Sequence, residues 1–182
     1  MFSKNINFPD IIIIEPKIWS DNRGHFFESY KKSDLEEFVG HEINFVQKNE
    51  SQSKYGVIRG LHYQVAPKAQ AKLVSVSYGI VLDVIVDIRK ESKTYGQHIS
   101  IELCAEAGKQ IYIPKGFAHG FVTLSKQSNF SYMVDNDYHP DSERGIKYND
   151  EALNIDWKVK PEEIILSEKD KKSSSLKEIL KL

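Results

Sequence analysis

Short runs of β-branched and aromatic residues, each ended by turn-forming residues, recur from Ile11 to Val134. The runs are Ile11 to Glu15, Phe26 to Tyr30, Ile43 to Asn49, Val57 to Gln64, Ala71 to Tyr78, Val81 to Ile88, Gln97 to Leu103, Lys109 to Ile113, His119 to Leu124 and Asn129 to Val134. Many short strands with turn signals between them predict an antiparallel sandwich or barrel. Two short helices interrupt the pattern. Ser33-Asp34-Leu35-Glu36 has the form of a capping box and starts a helix through about Phe38. Leu176 to Leu180 predicts a second helix, structural or dimer-supporting. No linker divides the chain, so residues 1–182 are expected to form a single domain.

The stretch from Gly56 to Gly79 carries the most chemistry. Its two β-rich runs flank Val65-Ala66-Pro67-Lys68-Ala69-Gln70, where a proline breaks the strand. A hairpin symmetric about Pro67 places His62 opposite Lys72. Ile58, Gly60 and Gln64 then share a face with Val74 and Val76, because strand side chains alternate. A neutral imidazole beside an ammonium group, on a mostly apolar wall, is a place where a proton can be taken from carbon.

Composition narrows the possible partners. The formal charge of −1, with both signs interspersed, argues against a general nucleic-acid or membrane-surface binder. Ile11 to Ile14 is too short an apolar run for a membrane span or a signal-peptide core. Cys104 is the one cysteine, which excludes a disulfide within the chain and favours a reducing, cytoplasmic setting. Its strand-like surroundings predict a small core residue rather than a nucleophile.

Gly56-x5-His62-x-Gln64, Lys72-x6-Gly79 and Gly108-x5-Pro114-x-Gly116-x2-His119 resemble the frame of the cupins. The resemblance implies an all-β, cupin-type double-stranded β-helix, an antiparallel jelly-roll sandwich with short flanking helices. Gln64 and Lys72 occupy two positions where metal-binding cupins carry ligands. An ammonium group repels a divalent ion and offers it no lone pair, so no metal is expected, and the family resemblance implies no other cofactor.

A closer resemblance is carried by Asp21-x-Arg23-Gly24-x-Phe26-x-Glu28, Arg59-Gly60-Leu61-His62-Tyr63-Gln64 and Gln70-x-Lys72-Leu73-Val74. Asp83-Val84-x-Val86-Asp87-Ile88-Arg89, Pro114-x-Gly116-Phe117-Ala118-His119-Gly120-Phe121 and Leu166-Ser167-x-Lys169-Asp170 extend it over almost the whole chain. Together these motifs resemble the dTDP-4-dehydrorhamnose 3,5-epimerase family. The implied substrate is dTDP-4-dehydro-6-deoxy-D-glucose, inverted at C3 and C5 on the way to dTDP-L-rhamnose. A 4-keto group acidifies the protons on both neighbouring carbons. Inversion through an enolate needs a base on one face, an acid on the other and positive charge near O4.

By resemblance His62 is the base, Asp170 its partner, Lys72 the enolate stabiliser and Tyr132 the proton donor. Lys72 disfavours the imidazolium and Asp170 favours it. Independently of the family, Phe130, Tyr132 and Val134 fall on one strand face, which sets the phenol among apolar neighbours. Arg23, Arg59 and Lys169 match positions near the diphosphate, where a guanidinium can bind two oxygens at once. Glu28, Gln47 and Asn49 match contacts to base and sugar, and Phe26 and Tyr138 match aromatic contacts to thymine. His119 is implied to sit near the base. The segment from Arg23 to Glu28 is implied to reach a partner subunit, making a homodimer. Lys48, Ser75, Met133 and Tyr148 depart from residues frequent in the family.

Three other functions are compatible with the same frame: a C3-only epimerase, a 3,4-ketoisomerase, and a non-catalytic cupin that binds a sugar nucleotide. Asp83 and Asp87, on one strand face with Val81 and Ile85, are expected to support turns or to meet cations. Arg89 to Lys93 is expected to be a solvated charge cluster. His25, His41, His98 and His139 are expected at the surface, and Trp157 is expected to pack the final segment against the barrel.

Overall fold

The structure is a computed structural model that describes residues 1–179. In chain order the first strands are β1 (Phe2–Lys4), β2 (Ile12–Ile14), β3 (Trp19–Asp21), β4 (Gly24–Phe26), β5 (Gln47–Lys54) and β6 (Ile58–Gln64). There follow β7 (Lys72–Tyr78), β8 (Ile80–Asp87), β9 (His98–Cys104), β10 (Gln110–Ile113), β11 (Phe117–Thr123), β12 (Gln127–Val134) and β13 (Glu143–Gly145). The α-helices among the described residues are α1 (Lys32–Val39) and α2 (Leu176–Ile179). One sheet has the order β1-β2-β10-β7-β12-β5 and the other β13-β6-β11-β8-β9, while β3 and β4 make a separate hairpin.

This is the cupin-type sandwich. Alternate residues of both sheets point inward, where Val74, Val76, Val81, Ile85, Leu103, Ile111, Phe121 and Phe130 form the core. Strand β8 is buried over nearly its whole length because both of its faces are covered. Leu82, Val84 and Val86 face outward against Leu153, Trp157 and Leu176 of the final segment. Trp157 is buried, and its indole N–H donates to the Tyr148 carbonyl at 2.8 Å. Helix α1 covers the other sheet through Leu35, next to Ile12, Leu73 and Tyr112.

Several local expectations are corrected. Strands β6 and β7 do not pair as a hairpin. Strand β6 lies between β13 and β11, and β7 between β10 and β12, so each already has two ladder neighbours in its own sheet. The Pro67 segment is therefore a crossover between sheets, held by Gln64 Nε2 donating to the Lys68 carbonyl at 2.6 Å. The strand expected at Phe26 to Tyr30 ends at Phe26, because Trp19 pairs with Phe26 across a turn in which Arg23 N–H donates to Asp21 Oδ1. Strand β5 runs on to Lys54, beyond the expected end at Asn49. It is a polar edge strand with no apolar alternation to mark it.

The capping box does not form. Helix α1 has no side-chain cap, and Glu36 Oε1 instead accepts the Ile43 N–H at 2.7 Å. Cys104 ends β9 half-buried rather than in the core, and its thiol donates to Glu106 at 2.5 Å. That bond to a carboxylate, more than burial, pushes the thiol pKa up and so disfavours the thiolate. Arg89 is no free surface charge: it pairs with Asp87 at 2.7 Å and Asp10 at 2.6 Å and lies over the Phe117 ring. His25 and His41 are exposed, whereas His98 and His139 are half-buried. Helix α2 begins at Leu176 as expected, and Leu180 lies outside the described residues.

Candidate active site

A pocket of about 620 Å³ opens between the two sheets. Strand β6 supplies one wall through an irregularity that simple alternation does not anticipate. His119 pairs with His62 and Phe121 pairs with Arg59, so two steps on β11 match three on β6. The extra residue is a β-bulge, and it reverses the phase of the strand. Ile58, Leu61 and Tyr63 pack on the outer face, while Arg59, His62 and Gln64 line the pocket. Gly60 makes the bulge possible. It has φ of +118°, and a Cβ there would lie 2.5 Å from Gly120 Cα and 2.7 Å from the His119 carbonyl oxygen.

His62 Nε2–H donates to Asp170 Oδ1 at 2.6 Å. An ionised carboxylate only accepts, so this bond assigns the ring proton to Nε2 and leaves the Nδ1 lone pair free. Burial alone would raise the Asp170 pKa. Hydrogen bonds from His62 and Ser167 outweigh it and hold the carboxyl below its ordinary value. Next to this dyad, His119 Nε2–H donates to Asp83 Oδ2 at 2.7 Å, and both residues are buried. Desolvation pushes the His119 pKa down despite Asp83. The His119 ring stacks on Phe130, which stacks on Phe121 with centroids 4.0 Å apart.

The opposite wall comes from the six-stranded sheet. Lys72 on β7 is buried, and its Nζ donates to the His62 carbonyl at 3.2 Å. Burial lowers its pKa to about 8, against the raising effect of Asp83 and then Glu143. It is still predominantly cationic at neutral pH. Tyr132 on β12 pairs with Val74 on one side and Asn49 on the other. Burial raises its phenol, with Glu143 adding to the shift and Arg59 and Asn49 opposing it. His62 and Tyr132 thus face one cavity from opposite sheets.

The mouth is polar. Arg59 Nε donates to Ser53 at 3.0 Å, which anchors the guanidinium to β5. Glu143 accepts from Tyr138 Oη at 2.7 Å and from Lys169 Nζ. Gln47 Nε2 donates to Asn49 Oδ1 at 2.7 Å, and Gln47 Oε1 accepts the Tyr138 N–H at 3.0 Å.

The model of the family described as dTDP-4-dehydrorhamnose 3,5-epimerase matches residues 5–178. The chain belongs to that family. A dTDP-4-dehydrorhamnose 3,5-epimerase of Salmonella typhimurium is 53% identical over 149 residues, which is 82% of this chain and 81% of the relative. The structure matches the crystal structure of the Elizabethkingia anophelis enzyme of the same name with a TM-score of 0.93. The two are 48% identical over 98% of this chain and 97% of that one. A dTDP-6-deoxy-D-glucose-3,5-epimerase of Legionella pneumophila, solved with dTDP-4-keto-L-rhamnose, matches with a TM-score of 0.92. It is 45% identical over 97% of this chain and 93% of its own.

Of the epimerase residues expected from sequence, His62, Asp170, Tyr132, Lys72, Asn49, Arg59, His119, Tyr138 and Lys169 line the pocket. Gln47 stands just behind Asn49 and Tyr138. Arg23, Phe26 and Glu28 are not brought there. Arg23 and Phe26 sit with Trp19 on the exposed β3–β4 hairpin, and Glu28 lines a different cleft beside Tyr30 and Leu35. Sequence reasoning missed Glu143, and it missed the pairing of Asp83 with His119. The second carried a signal: a carboxylate inside the apolar run of β8 needs a buried donor.

Proposed function

We propose that this epimerase inverts both C3 and C5 of dTDP-4-dehydro-6-deoxy-D-glucose, with base and acid drawn from the two facing sheets. His62 Nδ1 takes the proton from carbon, and the bonding pair moves onto O4 as an enolate. Lys72 offsets the developing charge as a buried cation, in a setting where an ion is worth more than in water. Tyr132 gives its proton to the carbon from the other side, the pair returns from O4, and solvent takes the proton from His62 and restores the phenol. The same groups serve each carbon in turn. The carrying observation is that His62 and Tyr132 enter one pocket from opposite walls.

Arg59 and Lys169 at the mouth suit a diphosphate, with Asn49, Gln47 and Tyr138 beside them for the nucleoside. Arg23, Phe26 and Glu28 complete the pocket of a second subunit in a homodimer. No helix among the described residues is long and apolar enough to cross a membrane. With its unpaired Cys104 and a nucleotide-sugar substrate, we place the enzyme in the cytoplasm.

Proton NMR of the substrate in deuterated water is the direct test. Deuterium entering at both C3 and C5, with inversion at both, is the expected result. Exchange at C3 alone would make the chain a single-centre epimerase. No exchange in protein that binds the nucleotide sugar would make it a binding module.

A further inference from the structure

Asp170 does not stand on a strand. It belongs to a strap, residues 165–174, fastened at each end by a parallel bridge, Ile165 to Val57 and Ser174 to Ile146. The strap lies close against β13: a Cβ on Gly145 would come 2.7 Å from Ser173 Oγ and 3.5 Å from His62 Cδ2. Asp170 opens a short 3-10 turn, Asp170–Lys172, and is buried, and both of its carboxylate oxygens are held. His62 occupies Oδ1 at 2.6 Å. Ser167 Oγ–H donates to Oδ2 at 2.8 Å, and the same Oγ accepts the Asp170 N–H at 3.1 Å. The Ser167 carbonyl also accepts the Lys171 N–H at 3.1 Å, closing the turn. Ser167 therefore grips Asp170 at both side chain and backbone.

We propose that Ser167 is a positioning residue for proton abstraction, acting through Asp170 on His62. By fixing the carboxylate, it keeps the imidazole proton on Nε2 and the Nδ1 lone pair free. With Oδ2 released, the carboxylate turns and the ring samples the other tautomer, in which Nδ1 carries the proton and cannot act as a base. The inference rests on the assignment of His62 as the base.

The test is a double-mutant cycle on the purified enzyme, read as kcat, KM and the dissociation constant of dTDP. Ser167→Ala should lower kcat by about ten- to hundredfold, the range seen when partners that orient a working imidazole are removed from metal sites. KM and dTDP affinity should stay near parental. Ser167→Thr retains the hydroxyl at an exposed position and should recover most of kcat. In an Asp170→Asn background, Ser167→Ala should add less than about a further twofold loss, because the two residues act as one unit. Full additivity of the two losses, or a rise in KM with kcat unchanged, would overturn the proposal. A parent enzyme that exchanges neither ring proton would instead defeat the assignment of the site.

Discussion

Lys72 Nζ donates to the backbone carbonyl of His62 at 3.2 Å although the two residues stand on different sheets. The ammonium is thereby fixed beside His62. Burial lowers its pKa to about 8. The phenol of Tyr132 is shifted upward, away from that range. The kcat/KM profile of the free enzyme should accordingly fall on its alkaline side with an apparent pKa near 8. Lys72→Arg keeps a cation that does not deprotonate, so the residual activity of that variant should lose this limb. A limb that persists unchanged in Lys72→Arg would assign it to another group.

The same lysine should oppose stability. Its pKa is about 8 in the fold and near 10.5 when unfolded, so the unfolded chain binds more protons between those values. Stability then rises with pH across that window, and below it the buried charge costs about 3 kcal/mol. Lys72→Met should be inactive yet more stable at pH 7, by about 1–3 kcal/mol in urea unfolding once packing changes are included. Its advantage over the parent should shrink from pH 8 to pH 10. A variant less stable than the parent at pH 7 would refute this.

Tyr132→Phe removes one hydroxyl from a half-buried ring that packs beside Phe130. Binding of dTDP should be little changed. Deuterium wash-in by His62 should survive while net inversion falls by about 10²- to 10⁴-fold, the usual worth of a positioned acid. Equal loss of exchange and inversion would make the tyrosine a binding or folding residue.

Arg23 is exposed on a hairpin outside its own pocket, paired only with Asp21 at 2.5 Å among the described residues. If the hairpin completes a neighbouring subunit, His62→Ala and Arg23→Ala chains should complement each other. A mixed dimer holds one site with both native residues, so mixing and subunit exchange should give more activity than the two variants show separately. Simple averaging would show that each pocket works with its own chain alone.

The strands of the sandwich were legible because their apolar runs end in turn residues, and β8 to β12 begin and end within a few residues of the expected limits. Strand β5 was only partly legible, since nothing apolar marks an edge that faces solvent. The partners of β6 and β7 were not legible at all, because a proline-containing connection fits a hairpin as well as a crossover. His62 and Lys72 were nonetheless brought together, across the sandwich rather than along a ladder. Asp83 was misread for lack of its partner: His119 lies 36 residues away, and only the neighbouring position of β8 and β11 joins them. Glu143 carries no local signal, since its role arises from Tyr138 and from Lys169 on the strap.

The bulge at Gly60 makes the wall of the pocket depend on an odd number. Arg59 and His62 are three residues apart, and a regular strand would turn one of them to the outer layer against Trp157. The extra residue in the bulge is what lets both side chains face the cavity at that odd spacing. Gly60 is therefore the hinge on which the inward phase of Arg59 and His62 turns, and no larger side chain can stand there unless β11 moves aside.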